Sequence, residues 1–172
     1  MLRSSFVVAK TCAAFSFALA TLGCQEPSFP RSSEHPLLGQ RVPEIGPRKT
    51  VFGANFNPND LEGHPVFVKF FAEYCGPCKE GLPTFQRLHK KYPDVRFVGI
   101  DEDKHPDAAV ELALTFGLTF PVLADEGNDL SGRFKVSTLP TSFAADASGV
   151  VRWVGTARQR DQDLKAAVAA IR

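Results

Sequence analysis

Phe70-Phe71-Ala72-Glu73-Tyr74-Cys75-Gly76-Pro77-Cys78-Lys79 is the stretch where one hydrophobic periodicity gives way to another. Val66 to Phe71 is a run of β-formers. After it, Leu82, Phe85, Leu88 and Tyr92 recur at helical spacing until Pro93 stops them. A strand therefore delivers Cys75 to the N-terminus of a helix and puts Cys78 in its first turn. The free N–H groups and positive dipole end of a helix stabilise a thiolate and lower a cysteine's pKa. A two-residue spacer lets the second thiol attack a mixed disulfide formed at the first, which releases a reduced substrate. The pattern reads as a dithiol/disulfide redox site.

Two other readings of the pair are weaker. Structural zinc takes four Cys or His ligands. Here Cys12 and Cys24 lie in a leader segment, and the four histidines form no second close pair. A purely structural disulfide closing so short a loop would remove little unfolded-chain entropy. Neither a metal nor another cofactor is expected.

With 172 residues, 44% of them hydrophobic, the chain can build one domain with a real core. Formal net charge is +1. Arg3 and Lys10 take two of the 20 basic residues, leaving 18 against 19 acids in the remainder. Nothing in that balance suggests nucleic acid or a strongly charged partner. There is no internal repeat and no low-complexity tract. Residues 1–23 begin with Met1-Leu2-Arg3, and Thr11 to Gly23 is uncharged and apolar or small. This is the size of a secretory h-region and too short to span a bilayer comfortably, so export is expected. Thr21-Leu22-Gly23-Cys24 resembles a bacterial lipobox, although Thr21 stands where leucine is preferred. Ala18-Leu19-Ala20 fits an alternative cleavage site that would release a soluble periplasmic or secreted protein. A free Cys24 beside a redox site would invite wrong disulfides, which favours lipidation of Cys24. Residues 24–36 hold three prolines and no periodicity, a tether between the membrane and a domain over 37–172.

Along that domain, Leu38 to Pro43 and Thr50 to Phe52 read as short extended pieces, and Asn57 to Gly63 as a turn. Val95 to Ile100 is a second strand ending in Asp101-Glu102-Asp103. Pro106 to Phe116 is helical with Gly117 as its cap, Pro121 to Leu123 extended, and Asp129 to Phe134 a short helix. Thr141 to Ala145 and Val150 to Val154 are strands around the turn Asp146 to Gly149. A last helix runs from about Arg160 to Ile171. Helices alternating with strands, then a hairpin, predict a mixed sheet with helices on both faces. The cysteines fall at the C-terminal end of a central strand, where open α/β sheets bind ligands. His35, His64, His89 and His105 read as surface residues. The acids at 101–103 read as a solvated strand end, although acids beyond a strand terminus can line a cleft, and they are not placed in the site; Trp153 reads as packing.

The motif Phe71-Ala72-Glu73-Tyr74-Cys75-Gly76-Pro77-Cys78-Lys79 resembles the thioredoxin signature, with Phe71 and Tyr74 in place of tryptophans. Pro83 matches that family's helix proline, and Val136-Ser137-Thr138-Leu139-Pro140-Thr141-Ser142-Phe143 its cis-proline segment. Phe120 to Asp125 and Asp146 to Gly149 are similar to stretches found in exported TlpA/ResA-like oxidoreductases. The resemblance implies a thioredoxin fold: a central mixed sheet flanked by helices, with an N-terminal β extension and a TlpA-type insertion. It also implies that Cys75 attacks and Cys78 resolves, with Tyr74, Gly76 and Pro77 shaping the site. A cis Pro140 would pack beside them and leave the backbone of Leu139 free for an extended substrate.

Two positions depart from that pattern. TlpA-like members commonly carry glutamate three residues after the second cysteine, where this chain has Gly81 and puts Glu80 one place earlier. A one-residue shift turns a helical side chain by about 100°. Thioredoxin's buried aspartate corresponds to Lys69. Either Lys69 favours a thiolate and makes the disulfide more oxidising, or it reaches past the sheet to water. Lys69 and Glu80 are therefore the candidates for tuning the cysteines. The expected activity is reduction of specific disulfides in exported proteins, with apocytochrome c as one implied client and a membrane thiol protein as electron donor. A disulfide oxidant or isomerase is the alternative. Copper delivery is weaker, since no histidine lies near Pro140, and a CxxC pair does not by itself supply a peroxidase site.

Overall fold

The computed structural model describes residues 35–172, apart from residue 158 and the side chain of residue 106. The leader, Cys24 and the tether up to residue 34 lie outside the described residues. A two-stranded hairpin comes first, β1 (Arg48–Lys49) with β2 (Asn55–Phe56), followed by a 3-10 turn at Pro58–Leu61. Then come β3 (Val66–Phe71), α1 (Gly76–Lys91), β4 (Arg96–Asp101), α2 (Pro106–Thr115) and β5 (Val122–Ala124). The chain closes with α3 (Asp129–Arg133), β6 (Thr141–Ala145), β7 (Val151–Thr156) and α4 (Asp161–Ala169).

The main sheet has the order β5-β4-β3-β6-β7. β4 is parallel to β3 and β5, while β6 runs antiparallel to both β3 and β7. This is the mixed sheet of a thioredoxin fold, with β3 at its centre and buried along its whole length. Centrality on both faces explains why β3 reads as a continuous apolar run rather than an alternation. Only Lys69 interrupts it.

Pleating sends Phe67, Lys69 and Phe71 to one face and Val66, Val68 and Phe70 to the other. The first face packs on α1, α2 and α4 through Leu82, Phe85, Leu88, Leu112, Leu164 and Val168. Phe85 meets the edges of Phe67, Phe97 and Phe120 with ring centroids 4.9–5.0 Å away. Such pairs add about 0.5–1.5 kcal/mol each beyond the area they bury. Gly99 makes this packing possible, because a Cβ there would lie 2.8 Å from Phe71 and 2.9 Å from Phe120. On the second face Leu130 of the five-residue α3 and its C-cap residue Phe134 pack with Ile45 and Phe56 of the N-terminal extension. Helices do cover both faces, the second one only in part.

The extension is where the sequence expectation needs correcting. Between Leu38 and Pro43 only Arg41 makes a bridge, to Val150. The paired strand is Arg48–Lys49; after it Thr50 bridges Leu123 and Val51 N–H donates to Val122 O, and no strand continues to Phe52. Positive-φ glycines at 46 and 53 set its bends (φ +74° and +81°), so local turns override the β-propensity of Val51 and Phe52. Three histidines also differ from expectation, His64 being partly buried against Arg96. His35 lies edge-on to Phe143 (5.0 Å), and His89 to Phe97 and Phe120, both partly buried rather than at the surface. Trp153 is packing, as read, 5% exposed and edge-on to Phe67.

Candidate active site

β3 ends at Phe71, and the chain turns through Ala72-Glu73-Tyr74 to bring Cys75 to the N-cap of α1. Cys75 is extended (φ −90°, ψ 96°), its carbonyl takes the N–H groups of Cys78 and Lys79, and its sulfur takes that of Cys78 at 3.2 Å. Gly76 and Pro77 fill the first two helical positions. Proline suits that place because its missing N–H would have no partner there. Cys75 and Cys78 form a disulfide. Their exposure is unequal: Cys75 is 7% exposed and Cys78 not at all. Only the first sulfur can be reached by a large substrate.

A cavity of about 630 Å³ opens at Cys75. Tyr74, Gly76 and Pro77 line one side of it, and Thr138 and Leu139 the other. Tyr74 is 71% exposed, a large aromatic surface standing beside the sulfur. The Leu139–Pro140 peptide is cis, and Pro140 is buried behind the cavity wall. The structure thus brings Tyr74, Cys75, Gly76, Pro77, Cys78, Leu139 and Pro140 together. It leaves Glu80 exposed on the outer side of α1. Lys69 does not reach water: it is fully buried beneath α1, which removes that alternative.

The acids after β4 are neither solvated nor remote from the site. Asp101 is fully buried and Asp103 is 7% exposed. Asp103 Oδ2 accepts the backbone N–H of Glu73 at 2.7 Å and so fixes the turn that leads into the cysteines. Asp101 Oδ2 accepts the N–H of Asp103 at 3.1 Å, and Glu102 lines the cavity itself. Ser131 Oγ lies 2.6 Å from Glu102 Oε1 and 2.8 Å from Asp125 Oδ2. Partial burial and the nearby Asp125 push Glu102 above its ordinary range, against the Ser131 hydrogen bond. Loss of water, then Glu102, Asp103 and Asp101, raise Tyr74 as well. Glu102 is thus the one carboxyl among the residues lining the cavity, with Asp101 and Asp103 buried next to it in the chain. A run of three acids directly after a hydrophobic strand was the available signal, but charge pattern alone does not report burial. Gln159, which contacts the carbonyl of Pro140 at 3.0 Å, carried no signal at all. Among the described residues no three Cys, His, Asp or Glu side chains are grouped to hold a metal ion.

Comparison with known proteins agrees with this geometry. The profile of the AhpC/TSA family matches residues 38–154. The thiol-disulfide oxidoreductase ResA of Bacillus anthracis is 35% identical over 101 residues, 58% of either chain, so the match spans little more than half of that relative. The thioredoxin-like protein YneN of Bacillus subtilis is 30% identical over 135 residues, 74% of this chain and 77% of the relative. A secreted Mycobacterium tuberculosis disulfide oxidoreductase, described as homologous to Escherichia coli DsbE, superposes with a TM-score of 0.67 at 26% identity. That superposition covers 73% of this chain and 95% of the other. A thioredoxin-family thiol:disulfide interchange protein from Chlorobium tepidum gives 0.69 at 27% identity, over 77% and 97%.

Proposed function

We propose, from the premise that this chain belongs to the AhpC/TSA family as a ResA-like thioredoxin-fold oxidoreductase, that it reduces specific disulfides in exported proteins. The observation that carries this reading is the asymmetry of the pair, with Cys75 at the cavity and Cys78 sealed behind it. In the reduced protein the Cys75 thiolate attacks a client disulfide and displaces the client's first sulfur as a thiolate. Cys78 then attacks Cys75 Sγ, the client's second sulfur leaves with the electron pair, and the Cys75–Cys78 disulfide remains. The helix N-terminus supports the thiolate at Cys75. Leu139 offers its backbone to an extended client segment, and Tyr74 an apolar face beside the sulfur. Two electrons must return from a thiol donor, proposed to be a membrane protein.

Gly-Pro between the cysteines resembles reducing thioredoxins, and the secreted relative supports action outside the cytoplasm. Maturation of cytochrome c is one client process consistent with this. Anchoring through a lipid on Cys24 completes the reading; in a bacterial host, Cys24→Ser should move the protein from the membrane to the soluble fraction, and an unmoved protein would refute the anchor. The buried Lys69 favours a second reading, as a disulfide oxidant or isomerase.

Equilibration of the full chain with glutathione or dithiothreitol separates the two. A potential near about −270 mV supports the reductase, and one near about −120 mV the oxidant. A chain with no reversible couple would sink both.

A further inference from the structure

Lys69 is the one charged-type side chain in the all-apolar strand β3, and its surroundings define what it can do. It shares a face with Phe67 and Phe71, within the core that also holds Cys75 and Cys78. Its amine lies against α1 at Gly81, where a Cβ would come within 3.2 Å of Nζ. Cys78 and Gly81 are both buried on that side of α1, three residues apart, which is about 4.5 Å along the axis. The amine therefore sits roughly one turn below the sealed sulfur.

Among the described residues Lys69 Nζ has one hydrogen-bond acceptor, Gln159 Oε1 at 3.1 Å. The Phe85 ring lies 6.0 Å away. The Gln159 amide cannot turn over, because its nitrogen donates to the carbonyls of Pro140 (3.0 Å) and Gly155 (2.8 Å). Its oxygen also accepts from Ser142 Oγ at 2.8 Å. An ammonium would need three acceptors and finds one, so burial favours the neutral amine with its free lone pair over the charged form. The desolvated amine is accordingly lowered to about 7. Around it β4 presents Gly99, β6 Ser142, α1 Gly81 and Phe85, with Cys78 three residues before Gly81 on the helix, and the segment before α4 Gln159. Asp161 and Arg87, where α1 meets α4, pair with each other at 3.1 Å. Asp101, two places beyond Gly99 on the same face of β4, is itself pushed toward its neutral form by burial and by Asp103. Among these groups the cysteine pair is the partner left for a proton.

We propose that, in the reduced protein, Lys69 holds the proton that Cys78 would otherwise carry, so that a buried amine sets the poise of the cysteine pair. In the disulfide form the amine is neutral. When a donor thiolate attacks Cys75 Sγ, the S–S bond breaks and Cys78 leaves with the electron pair. The proton that accompanies reduction is held on Lys69, giving an ammonium–thiolate pair one turn apart. In the forward direction Cys78 attacks as that thiolate, its electron pair forms the bond to Cys75 Sγ, and the client sulfur leaves and takes the proton. Gln159 couples the amine to Pro140, at the wall that receives the client. This inference rests on the oxidoreductase reading.

The test uses the full chain. Thiolate absorbance is titrated in the reduced state, and the equilibrium constant against glutathione is measured across pH, for the wild type and Lys69→Met. The proposal expects the cysteine titration in Lys69→Met to move up by about one pH unit. It expects reduction by glutathione to become less favourable in the variant, by about tenfold once the pH lies above both cysteine titrations and by less below them. Superimposable curves from a folded variant would overturn it. Should Lys69→Met fail to fold, carbon NMR of the lysine Cε in the wild type answers the question. Lys69 must then titrate higher in the reduced than in the oxidised protein, and identical titration in both states refutes the proposal. A wild type without a reversible couple would instead remove the oxidoreductase reading itself.

Discussion

Asp101 ends β4 with one carboxyl oxygen on the Asp103 N–H and the other buried without a partner among the described residues. Burial first, then Asp103 and Glu102, push it up to about 8. An unfolded aspartate titrates near 3.9, so between about pH 4 and about pH 8 the folded chain holds a proton that the unfolded chain has lost. Its contribution to stability is complete below that window and is lost as pH rises through it. Asp101→Asn copies the protonated form, with an oxygen for the Asp103 N–H and an amide donor toward the Asp103 carboxylate. We expect the variant to show a flatter fall of stability across the window and to exceed the wild type near pH 8. Denaturant melts at several pH values check this; a wild-type slope retained in Asp101→Asn would show that Asp101 does not titrate there. At this scale the site was half legible. Cys75, Cys78 and Pro140 stand in a spaced motif that reports their place directly. The buried acids and Gln159 reach the site through the crossing of β4 and the return from β7, and sequence spacing does not encode such contacts.

The contact between α1 and α4 turns on one buried hydroxyl. Thr84, 2% exposed, donates to Asp161 Oδ1 at 2.6 Å, and Arg87 reaches the other oxygen of the same carboxylate. The Arg87–Asp161 pair is exposed on both sides and contributes little. The hydroxyl is different, because a buried donor left unpaired costs about 1–3 kcal/mol. Asp161→Ala should therefore destabilise the protein by about 1–2 kcal/mol, and Thr84→Val in the same chain should recover most of the loss by removing the orphaned group. A double-mutant cycle by urea melts tests this; strict additivity of the two changes would locate the cost elsewhere. Most elements were readable because each carries a strong period bounded by Gly or Pro, as α1 is by Gly76-Pro77 and Pro93. α1 runs straight through Pro83 although that residue has no N–H for the carbonyl of Lys79, so packing outweighs a local breaker. The N-terminal extension was poorly read because its pieces are two residues long and form only by docking on the rest of the sheet.

That docking defines the whole molecule. A five-stranded sheet has two edges, and bare edges invite pairing with other chains. The extension covers part of each: Thr50 and Val51 lie along β5, with Val51 N–H donating to Val122 O at 2.9 Å. At the other side Gly39, Gln40 and Val42 bond Val151 and Gly149 at the start of β7, at 2.8–2.9 Å. Between these contacts the chain crosses the second face and buries Ile45 and Phe56 against Val68, Phe70, Val98 and Ile100. Full burial of such side chains contributes about 1.5–3 kcal/mol each, against a total stability of about 5–15 kcal/mol for a domain. The extension is thus part of the fold although the redox motif lies wholly outside it. A chain beginning at Pro65 keeps β3, the cysteines and all four helices, yet should lose roughly 3–6 kcal/mol, bind a hydrophobic dye and aggregate through its uncovered edges. A chain beginning at His35 should melt with the full-length protein. Thermal melts and dye binding of the two truncations decide the matter. Equal melting temperatures for both would mean that the extension is an appendage, and that the sheet protects its own edges.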